Sequence, residues 1–490
     1  MRSYDRFLDE NRRLRAVVAD QAEQIAEQQA KLAELAQLRA RFDRLEALVE
    51  RQMAVIKRQA AEIERLKRGG KRQAAPFSKG PPKSQPNKPG RKRGKDYGIR
   101  AERAAPEQVD RTIQVDCLLY CPHCEAPVRL ESKASQFQVD LPRIRPQTTE
   151  FVVHWGRCTR CGRRVQGRHP SQVSDALGVG KVHLGPGVIG LSAHLNKMCG
   201  LSFGKIATLL ESWLGLRVNR SSLCRANARL GRKAKPTRDE LVNKVRGSPA
   251  VTVDETGWKI GGQHAWLWGF ATEHETVYHI DRGRGFSAAS KILGDDFGGV
   301  LVVDGWAPYR RFREATLQTC LTHLLRRCSE LLEQAARGAV RFPRAVQALL
   351  EKALEIRDRR DAGSMTPHGV QVARGKLQAR IDRLLSGHFT NAENRRLANH
   401  LRRYRHALFV FLSHDGVDAT NWRGEHAMRA AVMTRKCCGG GNRTESGAAT
   451  QATLMTVFRS IHQKSLDQRQ VVTEILTAPV PRPIRSVVYG

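Results

Sequence analysis

The chain has 490 residues, and its 84 Lys and Arg against 48 Asp and Glu give a formal net charge of +36. That length predicts several domains, and the positive excess favours a nucleic-acid partner, although a membrane-surface or ribosomal protein would carry a similar charge. No apolar run reaches the roughly 20 residues of a membrane-spanning helix, and the N-terminus lacks the apolar core of a signal peptide. The 11 cysteines therefore favour thiols and metal ligands in an intracellular protein over disulfides.

The N-terminal segment is predicted to be one long helix, because residues 5–66 contain no Pro and no Gly and are rich in helix-forming residues. Apolar residues repeat every seven positions, and the repeat shifts its register near Leu35. Such a seam is buried only against another helix, so we assign residues 1–66 to a coiled coil that joins chains into a homo-oligomer. A single solvated helix held by ion pairs is the alternative.

The next segment, residues 67–105, is predicted to be a disordered basic linker, because its first part repeats Pro and Gly and lacks acidic residues. A charge run of this kind is usually only solvated. Here it could also follow DNA phosphates as a mobile arm, with Arg91, Lys92 and Arg93 as candidate contacts.

A zinc-binding module is predicted over residues 106–175. Two C-x2-C pairs occur there, Cys121 with Cys124 and Cys158 with Cys161. Four thiolates at this spacing can surround one structural Zn²⁺, although a redox-active dithiol pair has the same motif. Alternating apolar residues at Phe137–Leu141 and at Phe151–His154 predict strands of a zinc ribbon.

Residues 176–240 have the pattern of a helix-turn-helix. Ser202 can cap one helix, Gly215 can make the turn, and the next helix begins after Asn219. The candidate DNA contacts at the start of that second helix are Arg220, Ser221, Ser222 and Arg225. An ordinary helical hairpin has the same element order and is the alternative.

A strand-rich segment follows and is interrupted by helices. The predicted strands are Val251–Asp254, Ala265–Ala271, Thr276–Ile280 and Val300–Asp304. Residues 325–415 are basic and helical in pattern, which suggests an insertion between residues 245–324 and residues 416–465 of one catalytic core. Residues 466–490 are assigned to a C-terminal tail that is loose after Pro479.

Three acidic residues predict a metal-dependent active site. Asp254 and Asp304 each end a short apolar run, and Glu425 lies far downstream. Two carboxylates on neighbouring strands, completed by one from a helix, can hold a pair of divalent ions about 3.5–4 Å apart for phosphodiester chemistry. With so basic a chain, this combination indicates a nucleic acid as the substrate.

Each acid also has a simpler interpretation. An Asp that ends a strand is most often a turn former, and Glu425 could form an ordinary surface ion pair. Glu255 is a rival next to Asp254, but successive side chains in a strand point to opposite faces of the sheet, so Glu255 should point away from Asp254. The rival third acids are Asp415, Asp418 and Glu445, and the possible accessory residues are His323 and Arg429.

Four motifs together resemble the insertion-sequence sixty-six family of bacterial transposases. They are Asp254-Glu-Thr-Gly-Trp258, Asp304-Gly-Trp-Ala-Pro-Tyr309, Cys320-Leu-Thr-His323 and Thr420-Asn-Trp-Arg-Gly-Glu425-His-Ala-Met-Arg429. The resemblance implies a ribonuclease-H-like core with an Asp-Asp-Glu triad at Asp254, Asp304 and Glu425, an insertion before the glutamate, and accessory proteins encoded nearby. The family often has Asn-Asn-x-Ala-Glu-Arg-Ala around the third acid, whereas this chain has Trp422, Gly424 and His426.

The sequence thus predicts a multidomain α/β protein with a coiled coil, a zinc ribbon, a helical DNA-binding segment and a ribonuclease-H-like core with a helical insertion. We expect a cytoplasmic, nucleoid-associated bacterial transposase that uses catalytic Mg²⁺ or Mn²⁺ and structural Zn²⁺. Its partners would be DNA, as transposon ends and as target, a second copy of the chain, and accessory transposition proteins. A non-catalytic DNA-binding protein and a nuclease without strand transfer are the alternatives.

Overall fold

The computed structural model describes residues 2–69, 105–142, 144–177, 182–334, 337–437 and 440–489. The chain divides into two units, residues 1–79 and 80–490. Residues 67–69 of the predicted basic linker continue helix α1, and residues 70–104, with Arg91, Lys92 and Arg93, lie outside the described residues. The boundaries predicted inside the second unit stay predictions. No helix among the described residues is long and apolar enough to cross a membrane.

The first unit consists of helix α1, Arg2–Gly69, which confirms the predicted single helix. The apolar side chains of the seven-residue repeat are more than half exposed along it, as Leu14, Ile25, Leu38 and Leu45 illustrate. A row of exposed apolar side chains is what a second helix would cover in a coiled coil. Pairing itself stays a prediction.

The second unit is a mixture of helices and strands, and its sheet content confirms a mixed α/β protein. The strands are β1 (Trp155–Arg157), β2 (Arg164–Gln166), β3 (Ala250–Ile260), β4 (Gln263–Ala271), β5 (Thr276–Asp281), β6 (Val300–Val303) and β7 (Thr316–Thr319). The helices are α2 (Pro186–Lys197), α3 (Phe203–Leu214), α4 (Arg220–Arg246), α5 (Phe286–Leu293), α6 (Leu321–Gln334), α7 (Arg341–Asp361), α8 (Pro367–Leu385), α9 (Ala392–Arg403), α10 (Trp422–Cys437), α11 (Glu445–Gln463), α12 (Gln468–Thr477) and α13 (Arg485–Tyr489).

The main sheet has the strand order β5-β4-β3-β6-β7. Strands β3, β4 and β5 form an antiparallel meander, whereas β6 runs parallel to both β3 and β7. The tight β3–β4 turn consists of Gly261 and Gly262, which both have positive φ angles, and glycine reaches these without a steric penalty. The sheet is therefore antiparallel on one side and parallel on the other.

Alternate residues of the sheet pack against different sets of helices. Val251, Val253 and Leu301 belong to a core with α2, α4, α5, α11 and α12. Val300 and Val302 point the other way, into a core formed mainly by α6 to α9. Helices α10 and α11 cover the antiparallel half of the sheet. Residues 325–415 are thus helical and pack on the parallel edge of the sheet, while their assignment as an insertion in one catalytic core stays a prediction.

The C-terminal segment contradicts its prediction as a loose tail after Pro479. Helix α13 follows three alternating prolines; Ile484 and Val487 are buried in the main core, and Val488 is buried as well. The backbone N–H of Ile484 donates to the Thr237 hydroxyl of α4 at 3.1 Å. The prolines suggested an open chain, but the three apolar residues have the spacing of one helix face.

Candidate active site and zinc module

Asp254 lies in the middle of β3 and not at a strand end, so that part of the prediction is wrong. The strand continues to Ile260 because β4 pairs with it along its whole length, and Gly257 therefore sits inside the strand. The parallel pairing with β6 nevertheless stops at Thr252 and Val302. Asp254 thus lies just beyond the end of the parallel half of the sheet.

Asp304 directly follows β6, as predicted. Its carboxylate accepts a hydrogen bond from the backbone N–H of Trp306 at 2.9 Å. Gly305 between them has a φ of +92°, and its carbonyl accepts a hydrogen bond from the Tyr404 hydroxyl at 2.7 Å. The turn that presents Asp304 is therefore held by a residue from the end of the helical insertion.

Glu425 lies in the first turn of α10 and is exposed. The helix approaches β3 so closely here that a Cβ added to Gly424 would be 3.1 Å from the Cβ of Asp254, and it would collide with the Asn421 side chain. Gly424, which replaces the alanine common in the resembling family, therefore permits this contact. Glu425 forms no ion pair within the described part of the chain, so its interpretation as an ordinary surface pair finds no support.

Asp304 and Glu425 lie close enough to Asp254 to affect its carboxyl. The pKa of Asp254 is raised from 3.8 to about 7, first because the carboxyl is buried and then because of the negative charge of Glu255, with Asp304 and Glu425 adding to it. None of the rival acids is among those charges. Asp418 instead pairs with Arg423 at 2.5 Å, and Glu445 pairs with Arg282 at 2.6 Å. These contacts favour Glu425 as the third acid.

Glu255 points to the opposite side of the sheet, as strand alternation predicts. Its side chain is almost fully buried, pairs with Arg284 at 3.0 Å and accepts a hydrogen bond from the Tyr309 hydroxyl at 2.7 Å. Burial raises its pKa despite these partners. The Arg284 guanidinium in turn lies over the Trp306 ring, with its central carbon 4.1 Å from the ring centre. Glu255 thus anchors the turn after Asp304, and its charge also acts on Asp254 from this position.

His323 lies near the acids, where it was predicted as a possible accessory residue. Its pKa is raised, first by a hydrogen bond with the Cys320 side chain, and the charge of Asp304 contributes. Cys320 is buried and accepts a hydrogen bond from the Asn421 backbone N–H at 3.1 Å. Burial alone would raise the pKa of the Cys320 thiol, but the hydrogen bonds from His323 and Asn421 lower it. Arg429 is exposed one turn beyond Glu425, and the structure shows no ion pair for it within the described ranges.

Two further residues belong to this site and were not predicted. Asn421 is buried, and neither atom of its side-chain amide has a hydrogen-bond partner among the described residues. His400, from α9, lies against Gly305, and its pKa is lowered to about 4 by burial and by Arg327 and Arg403. Asn421 belongs to the motif Thr420–Arg429, so the sequence could have indicated it as a residue of this site. Nothing in the sequence places His400 beside Asp304, because that contact depends on how the insertion folds.

The donor set suits a hard divalent cation. Three carboxylates and an amide oxygen are ligands that Mg²⁺ and Mn²⁺ prefer, and the pKa of Asp254 is raised by burial first and then by neighbouring negative charges, which a cation would offset. Within the described ranges, no group of three or more His, Cys, Asp or Glu side chains is already arranged as a metal site. The carboxylate oxygens are therefore suitable ligands for such ions, and the three side chains would have to move closer together to bind one.

The two cysteine pairs each form a tight turn. In the first, the backbone N–H of Cys121 donates to Ala126 and its carbonyl accepts from Glu125. In the second, Cys158 makes the equivalent bonds with Arg163 and Gly162, and Gly162 has the expected positive φ of 67°. Backbone N–H groups that follow each first cysteine lower the pKa of its thiol. Stabilised thiolates of this kind suit Zn²⁺.

The remainder of the predicted zinc ribbon differs from the structure. The strands expected at Phe137–Leu141 and at Phe151–His154 are absent, and only β1 and β2 flank the second cysteine pair. A strand needs a partner for its backbone hydrogen bonds, and the segment of Phe137–Leu141 has none, so its apolar side chains are exposed. The described structure does not gather the four sulfurs into one group. Zinc binding therefore stays a prediction.

The predicted helix-turn-helix residues are presented at the start of α4. Ser202 caps α3 by accepting from the Lys205 N–H, and Gly215 ends α3 with a φ of 64°. Helix α4 begins after Asn219, as predicted, and continues to Arg246. The candidate DNA contacts Arg220, Ser221 and Arg225 are exposed and Ser222 is half-buried.

Comparison with known proteins identifies the family. The family model described as "Transposase IS66 family" matches residues 181–450, which is more than half of the chain and includes Asp254, Asp304 and Glu425. A search of curated proteins finds no match. The match covers α2 to the start of α11, so it spans the whole sheet and the helical insertion. The chain therefore belongs to the IS66 family of transposases, which are DNA-processing enzymes.

Proposed function

We propose that this transposase is of the Asp-Asp-Glu type, with Asp254, Asp304 and Glu425 as its catalytic residues. The observation that carries the proposal is the convergence of three elements. The charges of Asp304, after β6, and Glu425, in the first turn of α10, both act on Asp254 in the middle of β3. A Cβ on Gly424 would be 3.1 Å from the Cβ of Asp254. The sheet supports it as well, because three antiparallel strands beside two parallel ones, with helices inserted before the third acid, are the arrangement expected of a ribonuclease-H-like core.

The proposed reaction has two steps. Water first hydrolyses a phosphodiester bond at a transposon end, and the 3′-hydroxyl that is released then attacks a phosphodiester of the target DNA. Mg²⁺ or Mn²⁺ bound by the three carboxylates would supply activation of the attacking oxygen and stabilisation of the leaving oxygen. No covalent bond between protein and DNA is needed, because each step is a direct displacement.

The protein's own residues would position these acids and the DNA. The Trp306 N–H orients Asp304 from one side, and Gly424 lets α10 bring Glu425 against β3. Glu425 is exposed, so DNA can reach it without a rearrangement of the core. The exposed side chains of Arg220 and Arg225 would contact DNA, and the buried side of α4 fixes that helix on the same core.

Other parts of the proposal concern assembly. We propose that Cys121, Cys124, Cys158 and Cys161 hold one structural Zn²⁺. The exposed apolar repeat of α1 would pair two or more chains, so that both transposon ends are cut within one complex. Accessory transposition proteins and a cytoplasmic, nucleoid-associated location follow from the family as expectations. The cluster of acids, intact in this chain, argues against a DNA-binding protein without catalysis.

The test is a cleavage assay on duplex DNA that carries the ends of the element, with Mg²⁺ or Mn²⁺. We expect nicked products and joined products with the wild type, and neither with Asp254→Asn, Asp304→Asn or Glu425→Gln. All three variants should still bind the duplex, because the basic surface is unchanged. Asp415→Asn, at an exposed acid outside the cluster, is the matched control and should cleave normally. Full cleavage by Glu425→Gln would transfer the role of third acid to a rival such as Asp418.

A further inference from the structure

A second feature of the core is a groove of about 1270 Å³ that none of the three proposed catalytic acids lines. It lies between the starts of α3 and α4, the tip of the β3–β4 hairpin and the start of α11. Its lining exposes more apolar than polar surface, and basic side chains project from several of its walls.

The charge of the groove favours an anion. Arg220, Arg232 and Arg443 line it, are exposed, and have no ion pair with any other described residue. Lys235 and Arg238 also line it and share a single acid, Asp239. The one carboxylate in the lining, Glu445, is itself paired with Arg282. The walls therefore carry several positive charges that no acid balances.

Three helices begin at this groove. Residues Ser202–Gly204 of α3, Arg220 and Ser221 of α4, and Thr444–Gly447 of α11 all line it. Free backbone N–H groups and the helix dipole make helix starts favourable for phosphate. Asn219, which precedes α4, makes no side-chain capping bond, so the first N–H groups of that helix keep their capacity to donate.

Unpartnered buried polar groups in the wall also indicate a ligand. Gln451 of α11 is 2% exposed, and its side-chain nitrogen has no hydrogen-bond partner among the described residues. Asn227 of α4 is 1% exposed and its side-chain oxygen also lacks a partner there, but this oxygen is an acceptor and would take a hydrogen bond from a water, not from a phosphate. An unmade hydrogen bond inside a folded core costs about 1–3 kcal/mol, so such groups usually serve a ligand or a bound water.

The groove is held in shape by a close contact between the loop before α11 and the hairpin tip. The Asn442 N–H donates to the Lys259 carbonyl at 2.9 Å, and the Trp258 indole N–H donates to the Asn442 side chain at 2.8 Å. A Cβ on Gly441 would collide with the Lys259 carbonyl, so only glycine fits there. This contact fixes Arg443 and the start of α11 before any ligand arrives.

We propose that this groove binds the sugar-phosphate backbone of DNA and positions it for the acid site. The proposal rests on the proposed function in taking DNA as the ligand. Trp258 lines the groove and lies four residues beyond Asp254 on the same face of β3. Four strand residues span roughly 13 Å, which is about four nucleotides of one DNA strand. The groove thus holds backbone close to the cut but outside the reacting group.

The first test compares two triple variants in a buffer without Mg²⁺ or Mn²⁺, where no cleavage occurs. One replaces Arg220, Arg232 and Arg443 by Ala; the control replaces Arg344, Arg359 and Arg380, which are exposed on α7 and α8, and lowers the net charge equally. The groove variant should bind duplex DNA more weakly than the control by on the order of 10²-fold at 100 mM salt, with the slope of log affinity against log salt reduced by about 2.7. Equal affinities and slopes of the two variants would overturn the proposal.

The second test uses Cys224, an exposed thiol that lines the groove. Bound duplex should slow its alkylation at least tenfold, measured by mass spectrometry of peptides, whereas Cys199 and Cys437, exposed and outside the lining, should react much as before. An unchanged rate of Cys224 alkylation at saturating DNA would contradict the proposal that the groove binds DNA. Failure of the proposed function would give a different result: bound DNA would protect Cys224 of the wild type from alkylation, but the protein would not cut the DNA after Mg²⁺ is added.

Discussion

Replacement of Asp254 by Asn should stabilise the metal-free protein, by an amount that grows with pH. The pKa of this carboxyl is raised from 3.8 to about 7, so the folded state holds a proton that the unfolded chain releases. The free energy of unfolding of the wild type therefore falls as the pH rises from about 4 to about 7, and it stays low above that. At about 1.4 kcal/mol for each pKa unit, the loss amounts to roughly 4 kcal/mol.

The assay is urea unfolding followed by tryptophan fluorescence at pH 5, 6, 7 and 8, with zinc retained and no Mg²⁺ or Mn²⁺. The Asp254→Asn protein should exceed the wild type in stability by roughly 4 kcal/mol at pH 8 and by much less at pH 5. Asp415→Asn is the control and should follow the wild type. Saturating Mn²⁺ should narrow the difference at pH 8, because only the wild type keeps all three carboxylates. An Asp254→Asn protein that is less stable than the wild type at pH 8 would refute the reasoning about crowded acids.

The remaining predictions concern the third acid, zinc, assembly and the C-terminus. Glu425→Gln should abolish cleavage and spare DNA binding, and Asp418→Asn should keep measurable cleavage in the same gel assay. Freshly purified protein should contain one Zn²⁺ per chain by elemental analysis, and Cys121→Ser should lose it; a zinc-free wild type would end that proposal. Deletion of residues 1–66 should reduce the number of chains per particle in light scattering. An unchanged number would mean that this helix does not join the chains and binds a different partner. Deletion of residues 479–490 should lower the unfolding free energy by several kcal/mol, because it removes three fully buried apolar side chains; an unchanged value would mean that they contribute little.

The strands that carry the two aspartates could be predicted because Asp254 and Asp304 each follow a short apolar run, whereas no such run marks Glu425 among its rivals. The strand of Asp304 has an uninterrupted apolar run, and the structure ends β6 at the predicted position. For Asp254 the same reasoning stopped the strand too early. Polar residues follow it, yet β3 continues because β4 pairs with it, and the sequence of one strand does not reveal the length of its partner.

Contacts between distant parts of the chain were beyond prediction. His400 reaches Gly305 only through the fold of the insertion, and the side chain of Asn421 is enclosed only because Gly424 lets α10 approach β3. The prediction of the zinc-ribbon strands was wrong for a related reason. Alternating apolar residues at Phe137–Leu141 predict an extended chain, but they do not show whether a partner strand exists. Helix α13 was missed because its prolines outweighed the helical spacing of three apolar residues.

The central claim is that Asp254, Asp304 and Glu425 act as one metal-dependent site. The most direct measurement is the binding of Mn²⁺, which can be followed by electron paramagnetic resonance, to the wild type and to the three single variants in the presence of end DNA. We predict bound Mn²⁺ together with cleavage in the wild type, and loss of both in each variant with DNA binding unchanged. A variant that binds Mn²⁺ and cuts DNA as the wild type does would contradict this claim.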